Sequence, residues 1–487
     1  MLNLTHNDKP DSLEYLNNLS VDKRVFFDIE AVKRAMGYES ALADTCGKIA
    51  GEVFEECNGM GSLGITILSS IGSTDKSKNA IIEYLRREVG ESREYMIQVY
   101  DKKKRKNRFS LDKKNVLLPL LESGYAVNFI QEYLTYREHL AAYNQMRSKV
   151  RTMFKPTGVD GIESLGYNWT RSITGRLYTK DDNIQNIKKL YLDCMRSEND
   201  DYVLVWGDLD QIDLRIAYYT LLSESKDDDV IFKQCDDKYE AIARIIDRKL
   251  GRQFNIDNFK ENRQKYKRAI LSKCYGQTSS STMNTISDKD FVDTLENYLD
   301  SNNRYSSWKN KVWSSVNNDF IDVYTYFGEH LRINLTDCKT KDQRVDRILN
   351  APIQSSTNNV VMHIVNNTVR RAREIGFGSD KFRVYMIRHD EPIYMLHKSA
   401  LSFLKVIKNY TAIQVDDWGP LTMSINVGTY YTKSENDLYE EYLGGVDVMS
   451  DRKIISDSTF YYEPLKTPLG KNASNVDIDI SLPNVCI

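Results

Sequence analysis

Residues 202–215 read YVLVWGDLDQIDLR, an apolar run followed by carboxylates spaced among apolar side chains. A short, partly β-branched apolar run is typical of a buried strand, so we predict a strand over 201–206. Asp208 then follows the end of that strand. The apolar segment 384–387 predicts a second strand that ends near Asp390, and the segment 393–396 is suited to return antiparallel to it as a hairpin.

The two aspartates indicate a metal-dependent reaction. Carboxylates at the ends of neighbouring strands can hold two divalent ions about 4 Å apart, which activate an attacking 3′-oxygen and stabilise a departing pyrophosphate. Oxygen ligands suit Mg²⁺, which keeps waters and takes substrate phosphates as its other ligands. Taken alone, Asp208 and Asp390 are better explained as ordinary carboxylates at loop ends.

A second pattern places cations along a helix. Arg263, Lys267, Leu271 and Tyr275 recur at a spacing of four, which puts them on one slowly drifting helix face. A triphosphate can lie against the two cations while its sugar and base reach Leu271 and Tyr275. Lys267 is then placed to neutralise phosphate charge. An amphipathic surface helix with incidental cations is the alternative explanation of this spacing.

These segments occur together with several others in a characteristic order. Residues 208–215 resemble the motif D-Y-S-Q-I-E-L-R of DNA polymerases of the DNA polymerase I type (family A). Residues 263–276 resemble that family's R-x-x-x-K-x-x-x-F/Y-x-x-x-Y-G, and residues 389–391 its H-D-E. Residues 174–177, 183–187 and 350–354 match T-G-R-L, N-L-Q-N-I and N-x-P-x-Q, and residues 427–431 match the V-G-x-x-W/Y ending. The resemblance covers about 26–433 and is specific over 166–396.

The resemblance implies a template-directed DNA polymerase, a nucleotidyltransferase that adds dNTPs to a primer 3′ end with two Mg²⁺ ions, for which Mn²⁺ can substitute. It implies an α+β right-hand polymerase fold with an antiparallel palm sheet and helical fingers and thumb. The implied boundaries are 1–25 for an N-terminal extension, 26–165 for the thumb and the start of the palm, 166–219 for the first part of the palm, 220–340 for the fingers, 341–433 for the second part of the palm and 434–487 for a C-terminal extension.

Site residues follow from the resemblance motif by motif. The implied catalytic residues are Asp208, Asp390, Lys267 and Glu391, and the implied metal ligands are Asp208, Asp390 and the backbone carbonyl of Leu209. The implied contacts to the incoming dNTP are Arg263, Lys267, Leu271, Tyr275, Lys238, Asp213 and Gln211. The implied contacts to primer-template DNA are Arg176, Asn183, Gln185, Asn350, Gln354, His389 and Gly276.

Four positions depart from the family pattern. Asp213 stands where the family has a glutamate at the sugar pocket, and Leu209 and Leu271 stand where it has aromatic residues. Lys238 stands where the family usually has a histidine that touches the incoming phosphates. We expect a looser sugar pocket, with altered discrimination against ribonucleotides and dideoxynucleotides.

The segment Asp28-Ile29-Glu30 looks like the D-x-E that opens a proofreading exonuclease. Such a domain needs further metal-binding aspartates over a longer stretch than separates Asp28 from Arg176. We therefore predict a polymerase without proofreading. Helical periodicity over 28–57 and 127–153 instead predicts two helices, which the resemblance assigns to the thumb.

Composition adds further expectations. The chain has 67 basic and 69 acidic side chains, so nucleic-acid binding must use a local basic surface, for which the basic run 102–108 is a candidate. The seven cysteines form no CxxC pair, which argues against structural zinc and for a reducing compartment. No signal peptide or apolar run of about 18 residues is evident, so we expect a cytoplasmic protein, in the host cytoplasm if phage-encoded, without membrane contact.

Three alternatives remain at this stage. A single-subunit RNA polymerase would share the fold, but those enzymes have no carboxylate at the position of Asp213. A binding protein could keep the fold without activity, and a two-metal hydrolase would need only the two aspartates. A small polymerase suits either a phage genome, with a role in viral DNA replication, or a role in repair. A separate exonuclease, helicase-primase or single-strand-binding protein is a further candidate partner.

Overall fold

The structure of the protein, a computed structural model, describes residues 24–58, 81–85, 87–88, 98–101, 106–109, 113, 117–166, 168–172, 177–180, 184–223, 225–276, 286, 288–404, 406–407, 413–414, 420–421, 425–431 and 453–455. The strands are β1 (Arg24–Asp28), β2 (Gln98–Asp101), β3 (Lys106–Phe109), β4 (Phe154–Pro156), β5 (Ile162–Gly166), β6 (Asn168–Arg171), β7 (Leu177–Lys180), β8 (Met195–Arg196), β9 (Tyr202–Trp206), β10 (Phe320–Tyr324), β11 (His330–Asn334), β12 (Phe382–Arg388), β13 (Glu391–His397), β14 (Ile413–Gln414), β15 (Pro420–Leu421), β16 (Ile425–Gly428) and β17 (Lys453–Ile455).

The α-helices are α1 (Ile29–Asn58), α2 (Leu118–Glu122), α3 (Val127–Thr152), α4 (Lys189–Leu192), α5 (Ile212–Ala217), α6 (Lys226–Gln234), α7 (Lys238–Lys249), α8 (Ile256–Cys274), α9 (Lys289–Ser301), α10 (Asn303–Ser315) and α11 (Lys341–Glu374). A π-helical turn, Tyr218–Leu222, continues α5, and short 3₁₀ segments lie at Ile184–Asn186 and Lys398–Phe403. None of the described helices is both long and apolar enough to cross a membrane.

The central sheet has the strand order β12-β13-β9-β16-β17, and all its neighbours are antiparallel. Strands β9 and β13 are buried along almost their whole length, which explains why both read as continuous apolar runs. The predicted strands at 201–206 and 384–387 and the predicted hairpin to 393–396 are confirmed. The expectation that the two aspartates follow neighbouring strands is wrong in detail, because β13 lies between β9 and β12.

A smaller antiparallel sheet, β4-β5-β1-β8, packs beside the central one. The Tyr385 hydroxyl of β12 joins the two sheets, since it donates to the carbonyl of Arg196 at 2.8 Å and accepts from the amide of Phe26 at 2.6 Å. Strand β1 begins at Arg24, inside the range that the sequence assigned to an N-terminal extension. Asp28 caps α1 by accepting from the amide of Ala31 at 2.8 Å and also accepts from the Tyr430 hydroxyl at 2.9 Å.

Two long helices, α1 and α3, pack against each other around a separate small apolar core. They match the helices predicted over 28–57 and 127–153. Helices α6 to α10 follow the first strand of the central sheet, as the helix-rich sequence up to about residue 318 predicts. The hairpin β10–β11 after them was not anticipated. Helix α11 then packs on α5, β12 and β13, which brings it behind the candidate site.

Candidate active site

Sheet register brings the two aspartates to the same edge of the central sheet. Trp206, the last residue of β9, pairs with Ile393 of β13. Asp208 lies two residues beyond Trp206, and Asp390 lies in the two-residue turn that joins β12 to β13, three residues before Ile393. Asp208 is exposed and Asp390 is partly exposed. This edge therefore presents two carboxylates to solvent.

The backbone is strained beside both aspartates. His389 has φ 57° and Gln211 has φ 54°, and among the described non-glycine residues Ala126 alone shares a positive φ. A left-handed conformation costs a non-glycine residue about 1–2 kcal/mol. Such conformations persist where the surroundings determine them, and they cluster at functional sites. Strain at these two positions therefore marks the segments that carry Asp208 and Asp390 as a site.

Glu391 is placed differently from its two neighbours in the turn. Its carboxylate is 1% exposed and accepts a hydrogen bond from the Tyr431 hydroxyl, and Arg388 Nη1 lies 4.0 Å from it. Burial, followed by the charge of Glu391, raises the pKa of Tyr431. The carboxylate of Glu391 is thus enclosed by protein rather than exposed beside Asp208 and Asp390. This burial suits a residue that anchors the turn, and the predicted catalytic role of Glu391 stays a prediction.

The predicted cation helix exists and is α8. It begins after Asn255, whose side chain accepts from the amides of Asp257 and Asn258 at 3.0 Å. One face of α8 is buried, and Arg263, Lys267 and Leu271 lie outside that buried set. Tyr275 ends the helix, and Gly276 follows with φ +82°. A Cβ at Gly276 would also collide with the Leu349 side chain. Glycine at this position therefore allows the chain to turn, which is a separate role from its predicted contact with DNA.

The two cations of α8 share a position over α7. Arg263 and Lys267 lie over the Tyr239 ring, at 5.8 and 5.6 Å from its centroid. Arg263 also forms an ion pair with Asp237, which caps α7 by accepting from the amide of Tyr239 at 2.9 Å. The sequence analysis missed Asp237 as a partner, although an aspartate just before a helix is a recognisable cap signal. Arg263 and Lys267 thus lie over the same ring, and the Asp237 carboxylate is already bound to Arg263.

Lys238 lies close by but is turned inward. Its side chain is 4% exposed, and its ammonium donates to the carbonyls of Phe232, at 2.8 Å, and Cys235. Burial, and then the charge of Arg215, lowers the pKa of Lys238 to about 8. Two main-chain carbonyls thus hold this ammonium in the structure, and its predicted contact with incoming phosphates stays a prediction. The backbone amide of Lys238 donates to Gln211 Oε1 at 2.6 Å, so Gln211 is engaged with α7.

Asp213 joins three elements. On α5, its Oδ1 accepts from the Thr357 hydroxyl of α11, and its Oδ2 accepts from the Tyr275 hydroxyl, at 3.3 Å, at the end of α8. Sequence reasoning predicted Asp213 and Tyr275 but missed Thr357. No local signal indicates Thr357, because its contact depends on how α11 packs on α5. Helix α8, the candidate nucleotide-binding helix, thus ends in contact with the Asp213 carboxylate, which lies five residues after Asp208 in the sequence.

The predicted DNA contacts divide into two groups. Gln185 is 2% exposed and donates to the Ile387 carbonyl at 2.7 Å, so it supports strand β12 from within. His389 is exposed in the turn, and Asn350 and Gln354 are partly exposed on α11. Arg176 and Asn183 lie outside the described residues, as do Lys102 to Arg105 of the basic run. The roles of these residues toward DNA stay predictions.

Comparison with known proteins gives the family. The model of DNA polymerase family A matches residues 71–433, which is most of the chain. The fold is similar to a solved structure described as the POL domain of Pol1 from M. smegmatis in complex with DNA primer-template and dNTP, with a TM-score of 0.60 and 17% identity over 83% of this chain and 67% of that chain. No curated protein matches the sequence. The predicted α+β right-hand polymerase fold is confirmed, and the chain belongs to DNA polymerase family A, a family of DNA-directed DNA polymerases.

Proposed function

We propose that this polymerase extends a DNA primer by nucleotidyl transfer at the sheet edge that carries Asp208 and Asp390, while α8 binds the incoming dNTP. The observation that carries the proposal is the hydrogen bond from the Tyr275 hydroxyl to Asp213. It ties the end of α8 to the helix that starts four residues after Asp208. This contact supports a nucleotide site next to the proposed site of chemistry.

The length of α8 fits a nucleotide laid along it. Eight residues of helix separate Lys267 from Tyr275, which corresponds to about 12 Å. Phosphates at Arg263 and Lys267 would leave the sugar and base near Leu271 and Tyr275. Lys267 would neutralise the phosphates and donate a proton to the departing pyrophosphate oxygen.

The sheet edge suits divalent cations. Asp208, Asp390 and the Leu209 carbonyl would hold them, and oxygen-only ligands fit Mg²⁺, for which Mn²⁺ would substitute. Bound ions would activate the primer 3′-oxygen and stabilise charge on the pyrophosphate. The described residues include no group of three or more His, Cys, Asp or Glu side chains suited to a metal ion, so water and substrate phosphates would supply the remaining ligands.

Buried side chains near this edge of the sheet hold it in place. Glu391, held by Tyr431, anchors the turn, and Gln185 supports β12 through the carbonyl of Ile387. Arg263 releases Asp237 when phosphate arrives, because both anions compete for one guanidinium. Asp237 remains as the cap of α7. Nucleotide binding would then exchange one ion pair for another.

We also propose that the segment Asp28-Ile29-Glu30 provides no 3′–5′ proofreading activity. Asp28, the first residue of the D-x-E segment, caps α1 and accepts from Tyr430. Glu30 pairs with Lys33 at 2.7 Å. Both carboxylates of the segment thus have structural partners, which supports a structural use of the segment.

Primer extension tests the proposed function. A 5′-labelled primer on a DNA template is incubated with Mg²⁺ and four dNTPs, with one dNTP omitted in each parallel reaction. In each reaction, templated synthesis should stop one position before the first template base that requires the omitted nucleotide. A folded protein that binds primer-template but does not extend it would favour the binding-protein alternative. Primer shortening without nucleotide would restore the exonuclease interpretation, and equal extension with rNTPs would favour an RNA polymerase.

A further inference from the structure

The carboxylate of Asp213 is held from two sides by hydroxyl groups. Thr357 donates to one oxygen and Tyr275 to the other, at 3.3 Å. The two donors come from different helices, since Thr357 lies in α11 and Tyr275 ends α8. A carboxylate with a directed donor on each oxygen has a defined orientation. Asp213 is therefore not a flexible acidic side chain on a helix surface.

Thr357 is well suited to set that orientation. It is 1% exposed, so its hydroxyl has no alternative partner in bulk water. A β-branched side chain in a helix has few χ1 rotamers, and this limits where its hydroxyl can point. A hydrogen bond to a charged acceptor is also stronger than one between neutral groups. The buried Thr357 hydroxyl thus helps to fix the position of the Asp213 carboxylate from α11.

The geometry of α8 indicates what this carboxylate faces. If phosphates lie at Arg263 and Lys267, the sugar of the same nucleotide lies near Tyr275, and Tyr275 contacts Asp213. A deoxyribose can approach without disturbing the two hydroxyl donors. A 2′-hydroxyl, by contrast, would meet a carboxylate whose oxygens are already engaged. Each oxygen can still accept a further hydrogen bond, but the two donors fix the direction in which its remaining lone pair points. A 2′-hydroxyl outside that direction loses its hydrogen bonds to water without replacing them, which costs binding free energy.

Resting on the proposed function, we propose that Thr357 is a positioning residue that sets sugar selectivity: it holds the Asp213 carboxylate so that the pocket rejects ribonucleotides. Removal of its hydroxyl leaves the carboxylate free to turn and accept a hydrogen bond from a 2′-hydroxyl. Selectivity for dNTPs then falls, chiefly because rNTPs are accepted better. The alternative is that Thr357 only packs α11 against α5, in which case its loss changes stability without changing selectivity.

Single-nucleotide incorporation distinguishes the two roles. The kcat/KM is measured for a dNTP and for the matching rNTP with wild type, Thr357→Val and Thr357→Ser. Thr357→Val keeps the shape and removes the hydroxyl, and the dNTP-to-rNTP ratio should fall about tenfold, as expected for loss of one hydrogen bond to a charged group. Thr357→Ser keeps the hydroxyl and should restore most of the wild-type ratio.

Thr368→Val is the matched control. Thr368 is also a buried threonine of α11, but its hydroxyl donates to the Ile364 carbonyl at 2.8 Å. The ratio should be unchanged in this variant. An equal fall in Thr368→Val would overturn the proposal in favour of general loosening of α11.

An unchanged ratio in Thr357→Val, with normal dNTP incorporation, would overturn the proposal and leave the proposed function intact. If Thr357→Val does not fold, Thr357→Ala provides the same comparison, with the same expected fall and the same contrary result. A wild-type protein that incorporates no dNTP at all would overturn the proposed function, and this inference with it.

Discussion

The edge of the central sheet and helix α8 assemble their functional groups in opposite ways. At the sheet edge, Asp208 and Asp390 come from distant parts of the chain and meet through the register between β9 and β13. On α8, Arg263, Lys267 and Leu271 lie on one continuous helix. The sheet strands are buried almost throughout, whereas the cations of α8 lie on a partly exposed face.

The difference suggests a division of labour. The groups proposed to act on the reacting atoms lie beside backbone that is strained at Gln211 and His389. The groups proposed to bind the nucleotide lie on a helix where one cation, Arg263, has an exchangeable partner, Asp237. Substitutions at the sheet edge should therefore lower kcat, and substitutions at the ion pair should change KM.

The largest effect is expected at the sheet edge. Asp208→Asn and Asp390→Asn each keep the side-chain shape and remove a charge that the proposed metal site needs. Single-turnover incorporation should slow by at least about 10³-fold, because metal ions contribute several kcal/mol of transition-state stabilisation. Primer-template binding, measured by fluorescence anisotropy, should change little. A variant with near wild-type rate would show that this edge does not carry the chemistry.

A smaller loss is expected on α8. Lys267→Ala should lower kcat by about 10²-fold, the typical effect of removing one preorganised charge-stabilising or proton-transferring group. Lys265→Ala is the control, because Lys265 is an exposed lysine of the same helix and its ammonium contacts only Asn262 among the hydrogen bonds described for it. Equal losses in both variants would contradict the assignment of Lys267 and indicate a general electrostatic effect of the helix.

The next test concerns the anchoring of the turn. Tyr431→Phe removes the hydroxyl that donates to the buried carboxylate of Glu391. A buried charged group that loses a donor should lower the free energy of unfolding by about 1–3 kcal/mol. Urea unfolding followed by circular dichroism measures this change. Stability equal to wild type would mean that the remaining partners of Glu391, Arg388 among them, satisfy its carboxylate.

The smallest effect is expected at the ion pair between Asp237 and Arg263. Asp237→Asn keeps the cap of α7, since asparagine caps as well as aspartate, but weakens the pair with Arg263. A partly exposed ion pair contributes at most about 1 kcal/mol, so KM for dNTP should fall by no more than about fivefold, with kcat unchanged. Steady-state incorporation measures both constants. A rise in KM would show that Asp237 assists nucleotide binding instead of competing with it.

The sequence predicted what depends on local pattern. The strand before Asp208, the hairpin around Asp390 and the single helix from Arg263 to Leu271 all follow from periodicity and are confirmed. It did not predict what depends on which neighbour covers a side chain. Lys238 is buried because the carbonyls at the end of α6 lie within its reach. Gln185 turns inward to Ile387, and Thr357 of α11 contacts Asp213 of α5.

Metal binding shows whether Asp208 and Asp390 hold divalent cations for catalysis. Mn²⁺ binding is measured by electron paramagnetic resonance in a complex of protein, dideoxy-terminated primer-template and matching dNTP, in which no turnover can occur. We expect two tightly bound Mn²⁺ ions in the wild-type complex and no more than one in Asp208→Asn. Two ions bound equally tightly in both proteins would rule out Asp208 as a metal ligand.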